Sequence, residues 1–320
     1  RAFLDEIAKA LPKELQDLKQ TLQRVYQPYY QALPILCTQN LACFKQALWM
    51  NQLQKTFTQT HSSCRLQILE KPYFTNTYYL PAEFCASIFT AEGKIRPTAE
   101  TRNSAVFMHE DYCLKIIQPD ASDKQSQQEA LTVFLAREYA VSSLSRLLGF
   151  EVTARGCVVA LKVTGTKQSE VYYAYLSEIV QGRDLLNAAQ HKPRDIERIH
   201  PKSYSALFTL SLLCYSNDGQ PRNFMVQPPL KEGEASWLMS IDNKRMFVKP
   251  FSMVTGIRGM FARGPELNNK TVLYFLPLFK SVFDQVLANQ LRTPDLHVLK
   301  AQWLEAVKEF DELVGKVLIV

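Results

Sequence analysis

Three polar side chains stand where short apolar runs begin or end, and their types suit a metal-binding site. Four residues separate Asp218 from Asn223, which opens one apolar run, and a second apolar run ends at Asp242. Magnesium requires hard oxygen ligands in near-octahedral geometry, which an amide oxygen and a carboxylate at adjacent strand ends supply. The pattern therefore favours a magnesium site. The alternative is that Asp218 and Asp242 belong to ordinary turns, because Asp-Gly and Asp-Asn are common turn sequences.

These segments resemble the catalytic core of kinase-fold phosphotransferases, and they are closer to the phosphatidylinositol 3-/4-kinase-like group than to ordinary protein kinases. That group carries Asp-Arg-His-x-x-Asn in its catalytic loop and Ile-Asp-Phe or Ile-Asp-Asn at its metal-binding Asp. Here residues 218–223 read DGQPRN and residues 241–243 read IDN, so the spacing is kept while Gly219 and Gln220 replace Arg and His. The resemblance covers roughly residues 95–290.

The resemblance implies an ATP- and Mg²⁺-dependent kinase that transfers a phosphoryl group to a hydroxyl acceptor. Asp218 would orient the acceptor hydroxyl, and Asn223 and Asp242 would hold Mg²⁺. Phosphoinositide is the preferred acceptor, and protein serine or threonine is next. The competing interpretation is a catalytically inactive pseudokinase that acts as a protein-binding module, for instance as a secreted effector.

Upstream, two β-prone runs at 104–109 and 112–117 are joined by Glu110-Asp111, which is typical of a hairpin. Lys115 lies inside the second run with apolar neighbours on both sides. A buried lysine is costly unless it is paired, and a nucleotide phosphate together with a helix carboxylate would satisfy it. We therefore predict that Lys115 positions the phosphates. The alternative is a lysine on the solvent face of an edge strand.

The carboxylate partner of Lys115 is expected on the next helix, predicted at 129–148 from apolar residues at helical spacing. At about 100° per residue, Glu138 falls within the apolar stripe and Glu129 falls on the opposite side. An acid on the buried face needs a partner, so Glu138 is the predicted one and Glu129 is the reserve. A surface ion pair of Glu138 with a neighbouring arginine is the alternative.

Two further strands are predicted at 157–163 and 171–180, and the second one leads through Gly182 into a helix. In kinase folds the two lobes join at this point, so the resemblance implies that the backbone at Glu178 and Val180 meets the adenine. A loop that covers the phosphates should lie between the first two strands, but the candidate stretch, residues 96–104, contains no glycine. Ser104 or Arg102 is therefore the candidate phosphate contact there.

The ordered motifs predict an α+β, bilobal protein-kinase-like fold with a small antiparallel-sheet lobe, a larger helical lobe and an N-terminal helical hairpin. The hairpin is expected at 1–60, the small lobe with the phosphate-positioning lysine at 61–180, and the large lobe with the catalytic loop and metal-binding Asp at 181–320. Residues 271–320 are expected to be helical. The hairpin prediction depends on apolar residues at three- and four-residue steps: Leu4, Ile7, Leu11, Leu15, Leu18, Leu22, Val25 and Tyr29. Pro12 is expected to separate a short first helix from a longer one, which Pro34 closes, and Leu41, Phe44, Leu48 and Leu53 mark the partner helix. Such a seam is expected to pack within the chain; a separate partner is the alternative.

Composition and charge narrow the class of protein. The chain has 320 residues, of which 47% are hydrophobic, so it can bury a sizeable core. Its net charge of +6 is mild and does not indicate a nucleic-acid partner.

The seven cysteines show no zinc spacing, which favours free thiols in a reducing cytosol. No apolar run reaches transmembrane length and no signal peptide is visible, so a cytoplasmic location is expected. The chain begins at Arg1 without Met, so we expect a piece of a longer protein.

The residues after Asp242 combine cations with apolar side chains. Between 243 and 264 there is no acidic residue, whereas five lysines and arginines alternate with large apolar residues. Each cation near an anionic membrane contributes on the order of 1 kcal/mol, so residues 244–263 are predicted to contact an anionic lipid headgroup or a membrane surface. Delivery into a host-cell cytosol is a further alternative for the location. An ordinary loop with solvated cations is the other interpretation of this stretch.

Overall fold

The computed structural model of the chain has a mixed α/β architecture with a large antiparallel sheet and α-helices. It describes residues 33–58, 62–71, 73–96, 104–117, 124–163, 171–214, 216, 218–229, 231, 233–243, 246–247, 271–281, 283–292 and 296–318. Three sequence predictions therefore lie outside the described residues. They concern the first helix of the N-terminal hairpin, the loop expected to cover the phosphates, and most of the basic stretch after Asp242.

Eight α-helices occur in the described residues. In chain order they are α1 (Leu33–Thr58), α2 (Ala82–Ile88), α3 (Lys124–Leu147), α4 (Leu185–His191), α5 (Pro193–Glu197), α6 (Pro201–Leu213), α7 (Gln285–Arg292) and α8 (Leu296–Leu318). Among the described residues, no helix combines the length and apolar character that a membrane crossing requires.

The large sheet has six strands, and every neighbouring pair is antiparallel. Their order is β2-β1-β5-β6-β4-β3. The strands are β1 (Cys64–Ile68), β2 (Tyr78–Tyr79), β3 (Ser104–His109), β4 (Tyr112–Ile117), β5 (Gly156–Val163) and β6 (Val171–Glu178). The predicted hairpin is formed by β3 and β4, and Glu110 adopts the positive φ of 49° that a tight turn requires.

Both faces of this sheet are covered, which explains why β5 is apolar along nearly its whole length. Cys157, Val159 and Leu161 point to one side, where they pack with α1 and α2. Val158 and Ala160 point to the other side, where they pack with α3 and α8. Because side chains alternate along a strand, a strand buried on both faces needs an unbroken apolar run.

The rest of the described chain forms a second core around a three-stranded sheet. That sheet contains β7 (Arg183–Asp184), β8 (Phe224–Gln227) and β9 (Trp237–Ser240), in that order. Asp184 caps α4 by accepting a hydrogen bond from the backbone N–H of Asn187. Buried residues of α6, β8 and β9 then pack together in one apolar cluster.

The observed fold corrects three details of the sequence prediction. Pro34 was predicted to close a helix, but it lies in the first turn of α1, where its missing N–H costs little. Leu53 is buried in the core while Leu41, Phe44 and Leu48 are exposed, so these four residues do not form a single stripe. Residues 271–281 were predicted to be helical but form two short 3-10 turns, with Pro277 opening the second.

Candidate active site

Lys115 and Glu138 form an ion pair between the sheet and α3. Lys115 lies on β4 opposite Tyr175 of β6, and its Nζ is 3.3 Å from Oε1 of Glu138. The Glu138 side chain is only 3% exposed. This is the pair that the helical periodicity predicted. Glu129 is part of α3, but its side chain lies outside the described residues.

Asp242, which follows β9, also contacts Lys115. Its Oδ1 accepts a hydrogen bond of 2.8 Å from Nζ of Lys115, and 127 positions separate the two residues. Two carboxylates therefore share one ammonium group. The group of three carries one excess negative charge when all are ionised, and such an excess favours a cation nearby.

The two carboxylates keep Lys115 charged. Burial lowers the pKa of Lys115, but the negative charges of Glu138 and Asp242 outweigh burial and hold the pKa above its ordinary value. Burial also raises the pKa of Glu138, against the opposing effects of the Lys115 ammonium and a backbone N–H. The charge state of Lys115 therefore depends on two carboxylates that come from α3 and from the segment after β9.

Glu138 also binds the backbone that follows Asp242. The Asn243 N–H donates to Oε1 and Oε2 of Glu138 at 3.1 and 3.0 Å. The Asn243 side chain is held in turn, because its Oδ1 accepts a hydrogen bond of 2.7 Å from the Ser240 hydroxyl. These contacts fix the backbone on both sides of Asp242.

The β8–β9 hairpin brings the predicted magnesium ligands to one edge. Phe224 pairs with Ser240, so Asn223 and Asp242 are both within two positions of the same pair at one end of the hairpin. The Ile241 N–H donates to the Asn223 carbonyl at 3.0 Å and continues the ladder to this end. The spacing of these residues along the sequence therefore becomes proximity in space.

Hydrogen bonds within the turn hold Asp218 and Asn223 together. The side-chain nitrogen Nδ2 of Asn223 donates to the Asp218 backbone carbonyl at 2.6 Å, and the Gln220 backbone N–H donates to the same carbonyl at 2.8 Å. The turn continues into a 3-10 segment, Pro221–Asn223. Because the Asn223 side chain donates through its nitrogen, its remaining polar atom is the carbonyl oxygen, which is the atom type that Mg²⁺ binds.

Gly219 is required by close packing and not only by the turn. The backbone of Gly219 forms a parallel bridge with Thr271, and the Val272 N–H donates to the Gly219 carbonyl at 2.8 Å. A Cβ added at position 219 would lie 2.5 Å from Cα of Thr271. An arginine, which the resembling family has at this position, would not fit against this backbone.

The predicted adenine-binding backbone lies where β6 leaves the large sheet. Arg155 binds the Glu178 carboxylate through its backbone N–H and its guanidinium, so this side chain has a structural partner. Gly182 follows with a φ of 136° and lies against the backbone of Val226, so a side chain there would clash. Val180, which lies between Glu178 and Gly182 in the sequence, is partly buried.

For Ser104, the other predicted phosphate contact, the structure describes only the backbone. Ser104 begins β3 and pairs with Ile117, but its side chain lies outside the described residues. The backbone position therefore stands at the end of the strand next to β4, which carries Lys115.

Sequence reasoning missed three contacts of the site. They are the Lys115–Asp242 hydrogen bond, the bond from the Asn243 N–H to Glu138, and the packing of Thr271 on Gly219. The first joins residues that no local spacing relates. The bond from Asn243 to Glu138 could have been anticipated, because the sequence predicts that Glu138 is a buried acid and an ionised carboxylate accepts several hydrogen bonds.

The described residues fit a magnesium ion with a small protein ligand set. In that part of the chain, no three His, Cys, Asp or Glu side chains are grouped so as to hold a metal. An Asn oxygen and an Asp carboxylate supply two hard ligands, and Mg²⁺ is usually bound by one or two carboxylates together with water and phosphate oxygens. Asn223 and Asp242 could therefore supply two of the ligands of such an ion, and other oxygen ligands would have to complete its coordination.

Comparison with known proteins gives limited matches. No family model matches the sequence, and no curated protein does. Two solved structures of WbdD match: one with the kinase inhibitor LY294002, at 18% identity over 68% of this chain, and one at 2.2 Å resolution, at 16% identity over 66% of it. Both have a TM-score of 0.32. This chain spans about half the length of those WbdD chains, 50% and 49%.

Proposed function

We propose that this chain is a two-lobed, kinase-fold phosphotransferase that uses Mg-ATP. The observation that carries the proposal is the meeting of Lys115, Glu138 and Asp242 in one largely buried ion-pair network. A strand, a helix and the end of a hairpin supply these residues, in the order that the kinase resemblance implies. The small lobe would comprise residues 61–180 and the large lobe residues 181–320.

In this proposal, different residues bind the nucleotide and the metal. Lys115 would bind the nucleotide phosphates, and Glu138 would hold the ammonium in place. Asp242 and Asn223 would bind the metal through their oxygens. When bound, Mg²⁺ would neutralise charge on the phosphate oxygens. The excess negative charge of the network supports a cation at this position.

The remaining roles concern the acceptor hydroxyl, the adenine and the phosphates. Asp218 would orient the acceptor hydroxyl and take its proton, which is the role of the first Asp in the kinase resemblance. The hydrogen bond from the Asn223 side chain to the Asp218 carbonyl supports this role, because it holds the two residues in one turn. The backbone at Glu178 and Val180 would meet the adenine, and Ser104 would contact the phosphates. The positions of Glu178 at the end of β6 and Ser104 at the start of β3 support the last two roles.

Phosphoinositide is our preferred acceptor, ahead of protein serine or threonine. The support comes from the sequence of residues 244–263, which combines five cations with apolar residues and has no acidic residue. A headgroup that carries several phosphates offers the complementary charge. A membrane surface would then be the place where the acceptor is met.

A second candidate function is a non-catalytic, kinase-shaped binding module. It is favoured by the 2.8 Å contact between Lys115 and Asp242, which gives the Asp242 carboxylate a cationic partner within the protein. For nucleotide binding, this contact must loosen so that Asp242 can reach a metal. A module that only binds a protein would have no need to loosen it.

A thermal-shift experiment with Mg-ATP separates the two candidates. A ligand that binds only the folded state stabilises it by RT ln(1 + [L]/Kd), which is about 2.7 kcal/mol at 100 times Kd. We expect the melting temperature to rise with millimolar Mg-ATP and not with ATP in excess EDTA. The exposed acid Asp311 on α8 provides a control, since Asp311→Asn should shift as the wild type does while Asp242→Asn should not.

Transfer of labelled γ-phosphate then tests the chemistry. The purified chain is incubated with phosphoinositide vesicles, with phosphatidylcholine vesicles and with a mixture of proteins. Label in the phosphoinositide supports the preferred acceptor, and label in protein supports the second acceptor. No thermal shift and no transfer would leave the binding module as the function.

A further inference from the structure

Two cysteines from different elements meet in the core beside the large sheet. Cys64 begins β1, and Cys85 lies in the middle of α2. Both are free thiols, and both residues are buried, at 0% and 5% exposure. Their side chains hydrogen-bond to each other within one apolar cluster. A disulfide between them would require the sulfur atoms to move from this contact to a distance of about 2.0 Å.

The backbone holds the two cysteines together without a bond between the sulfur atoms. The Leu80 N–H donates to the Cys64 carbonyl at 3.1 Å, which joins the segment before α2 to the start of β1. Helix α2 then begins after Pro81, whose carbonyl accepts a hydrogen bond of 2.8 Å from the Cys85 N–H. The fold therefore presents Cys85 to Cys64, and a disulfide would need only a shift of side chains and of one short helix.

Cys85 has the surroundings of a reactive thiol. The hydrogen bond with Cys64 lowers the pKa of Cys85 to about 6, with a smaller contribution from Ser63, while burial opposes both effects. The Ser63 hydroxyl lies 3.5 Å from the Cys85 sulfur. The same contact raises the pKa of Cys64, so Cys64 keeps its proton. At neutral pH Cys85 is thus largely a thiolate, which is the reactive form of cysteine.

Three other described cysteines lack this low pKa. Burial raises the pKa of Cys113, Cys157 and Cys214, so these thiols stay protonated at neutral pH. A protonated, buried thiol reacts slowly with oxidants. Oxidation in the core is therefore expected to start at Cys85, where Cys64 is already in contact.

We propose that Cys64 and Cys85 form a reversible disulfide when a small peroxide, such as hydrogen peroxide, oxidises Cys85. First, the Cys85 thiolate attacks one peroxide oxygen, so an S–O bond forms, the O–O bond breaks and hydroxide leaves. The Cys64 sulfur then attacks the Cys85 sulfur, and the S–O bond breaks as the S–S bond forms. The departing hydroxyl leaves as water with the Cys64 proton, and the proton that Cys85 released on ionising converts the hydroxide to water.

The disulfide would connect two distant strands of the large sheet through one helix. The Phe84 ring of α2 stacks on His109 of β3, with 4.9 Å between ring centroids. In the order of the sheet, β1 and β3 lie in opposite halves. A covalent bond from α2 to β1 also reduces the freedom of the unfolded chain, so the oxidised protein should melt at a higher temperature. This inference does not depend on the proposed phosphotransfer.

Peptide mapping of the oxidised chain tests the pairing. Trypsin cuts after Arg65, so Cys64 and Cys85 fall on two different peptides, which hold one cysteine each. The folded chain is treated with a small excess of hydrogen peroxide, its free thiols are alkylated, and it is digested without a reductant. We expect these two peptides to form the main cross-linked product and to separate after reduction with dithiothreitol. Cys85 should lose its free thiol at least about tenfold faster than Cys214.

Single variants separate the roles of the two cysteines. Cys64→Ser should leave Cys85 as a sulfenic acid that dimedone traps, and Cys85→Ser should leave Cys64 unoxidised. Cys43→Ser is the control, because it removes an exposed thiol of α1 and should not change the yield of the disulfide.

The oxidised wild type alone can contradict the proposal, whether or not a variant folds. Cys64 and Cys85 that both stay free would do so, and so would disulfides of many pairings in equal amounts. Mixing isotope-labelled and unlabelled chains identifies bonds between two copies. If the bond between Cys64 and Cys85 forms mainly between copies, the pairing within the core is wrong.

Discussion

The backbone N–H of Asn243 donates to both carboxylate oxygens of Glu138, at 3.1 and 3.0 Å. Because the same carboxylate lies 3.3 Å from the Lys115 ammonium, one side chain of α3 connects the large sheet with the end of the β8–β9 hairpin. A shift of α3 would therefore move Lys115 and the backbone beside Asp242 together. This coupling makes Glu138 the central residue of the candidate site.

Removing the cation should destabilise the fold. Lys115→Met leaves Glu138 buried without its ammonium partner, and breaking a buried ion pair from one side costs about 3 kcal/mol or more. Chemical denaturation at neutral pH measures this loss. Lys162→Met is the control, because Lys162 is an exposed lysine of β5 in the same sheet and should change the stability by less than about 0.5 kcal/mol. Similar losses in the two variants would mean that the ion pair contributes nothing.

The contribution of Lys115 to stability should disappear at high pH. Its folded-state pKa is raised above the ordinary value of 10.5, so the stabilisation is complete below that pH and is lost as the pH rises through the raised pKa. Above 10.5, the difference in unfolding free energy between the wild type and Lys115→Met should shrink by about 1.4 kcal/mol per pH unit. Denaturation at about pH 8 and about pH 11.5 checks this. A difference that stays constant would contradict the pairing.

Phosphotransfer should depend on Asp218 and Asp242 in different ways. Asp242→Asn should weaken Mg-ATP binding, because it removes a charged metal ligand. Asp218→Asn should leave binding intact and reduce turnover, by about a hundredfold or more for a general base. Calorimetric titration and γ-phosphate transfer, performed on both variants, separate the two effects. If both variants lose binding equally while remaining folded, the division of roles is wrong.

Gly219 should tolerate no side chain. Gly219→Ala would place a Cβ 2.5 Å from Cα of Thr271, and backbone cannot yield as a flexible side chain does. We expect a loss of about 1–3 kcal/mol in stability and a displacement of the turn between Asp218 and Asn223, with weaker transfer if the proposed function holds. Gln220→Ala changes the exposed neighbour in the same turn and should have little effect on stability. Unchanged melting of Gly219→Ala would show that Thr271 moves freely.

Helix α8 should position Glu138 through α3. Phe310 is buried and stacks on Tyr139, the neighbour of Glu138, with 4.6 Å between ring centroids. Phe310→Ala should cost about 3–5 kcal/mol and also weaken Mg-ATP binding, because α3 loses its support. Leu304→Ala changes an exposed residue of the same helix and should do neither. Nucleotide affinity is compared at a temperature where all variants are folded. Unchanged affinity in folded Phe310→Ala would limit α8 to a structural role.

Several features of this protein were available in the sequence alone. Two β-prone runs joined by a turn signal predicted the bounds of β3 and β4, because strand and turn formation depend on neighbouring residues. Helical periodicity selected Glu138 over Glu129 as the buried acid, because a helix fixes the direction of each side chain. The roles of these residues toward a nucleotide stay predictions.

Other features were decided only by the tertiary structure. The Lys115–Asp242 contact spans 127 positions, and the packing of Thr271 on Gly219 brings together segments that are also far apart in the chain. Neither leaves a local pattern, because long connections allow many arrangements and packing selects one. The buried side of α1 was also decided by the tertiary structure. Helical spacing places Leu53 on a different side of α1 from Leu41, Phe44 and Leu48, but only the position of the sheet determined which of these sides is buried.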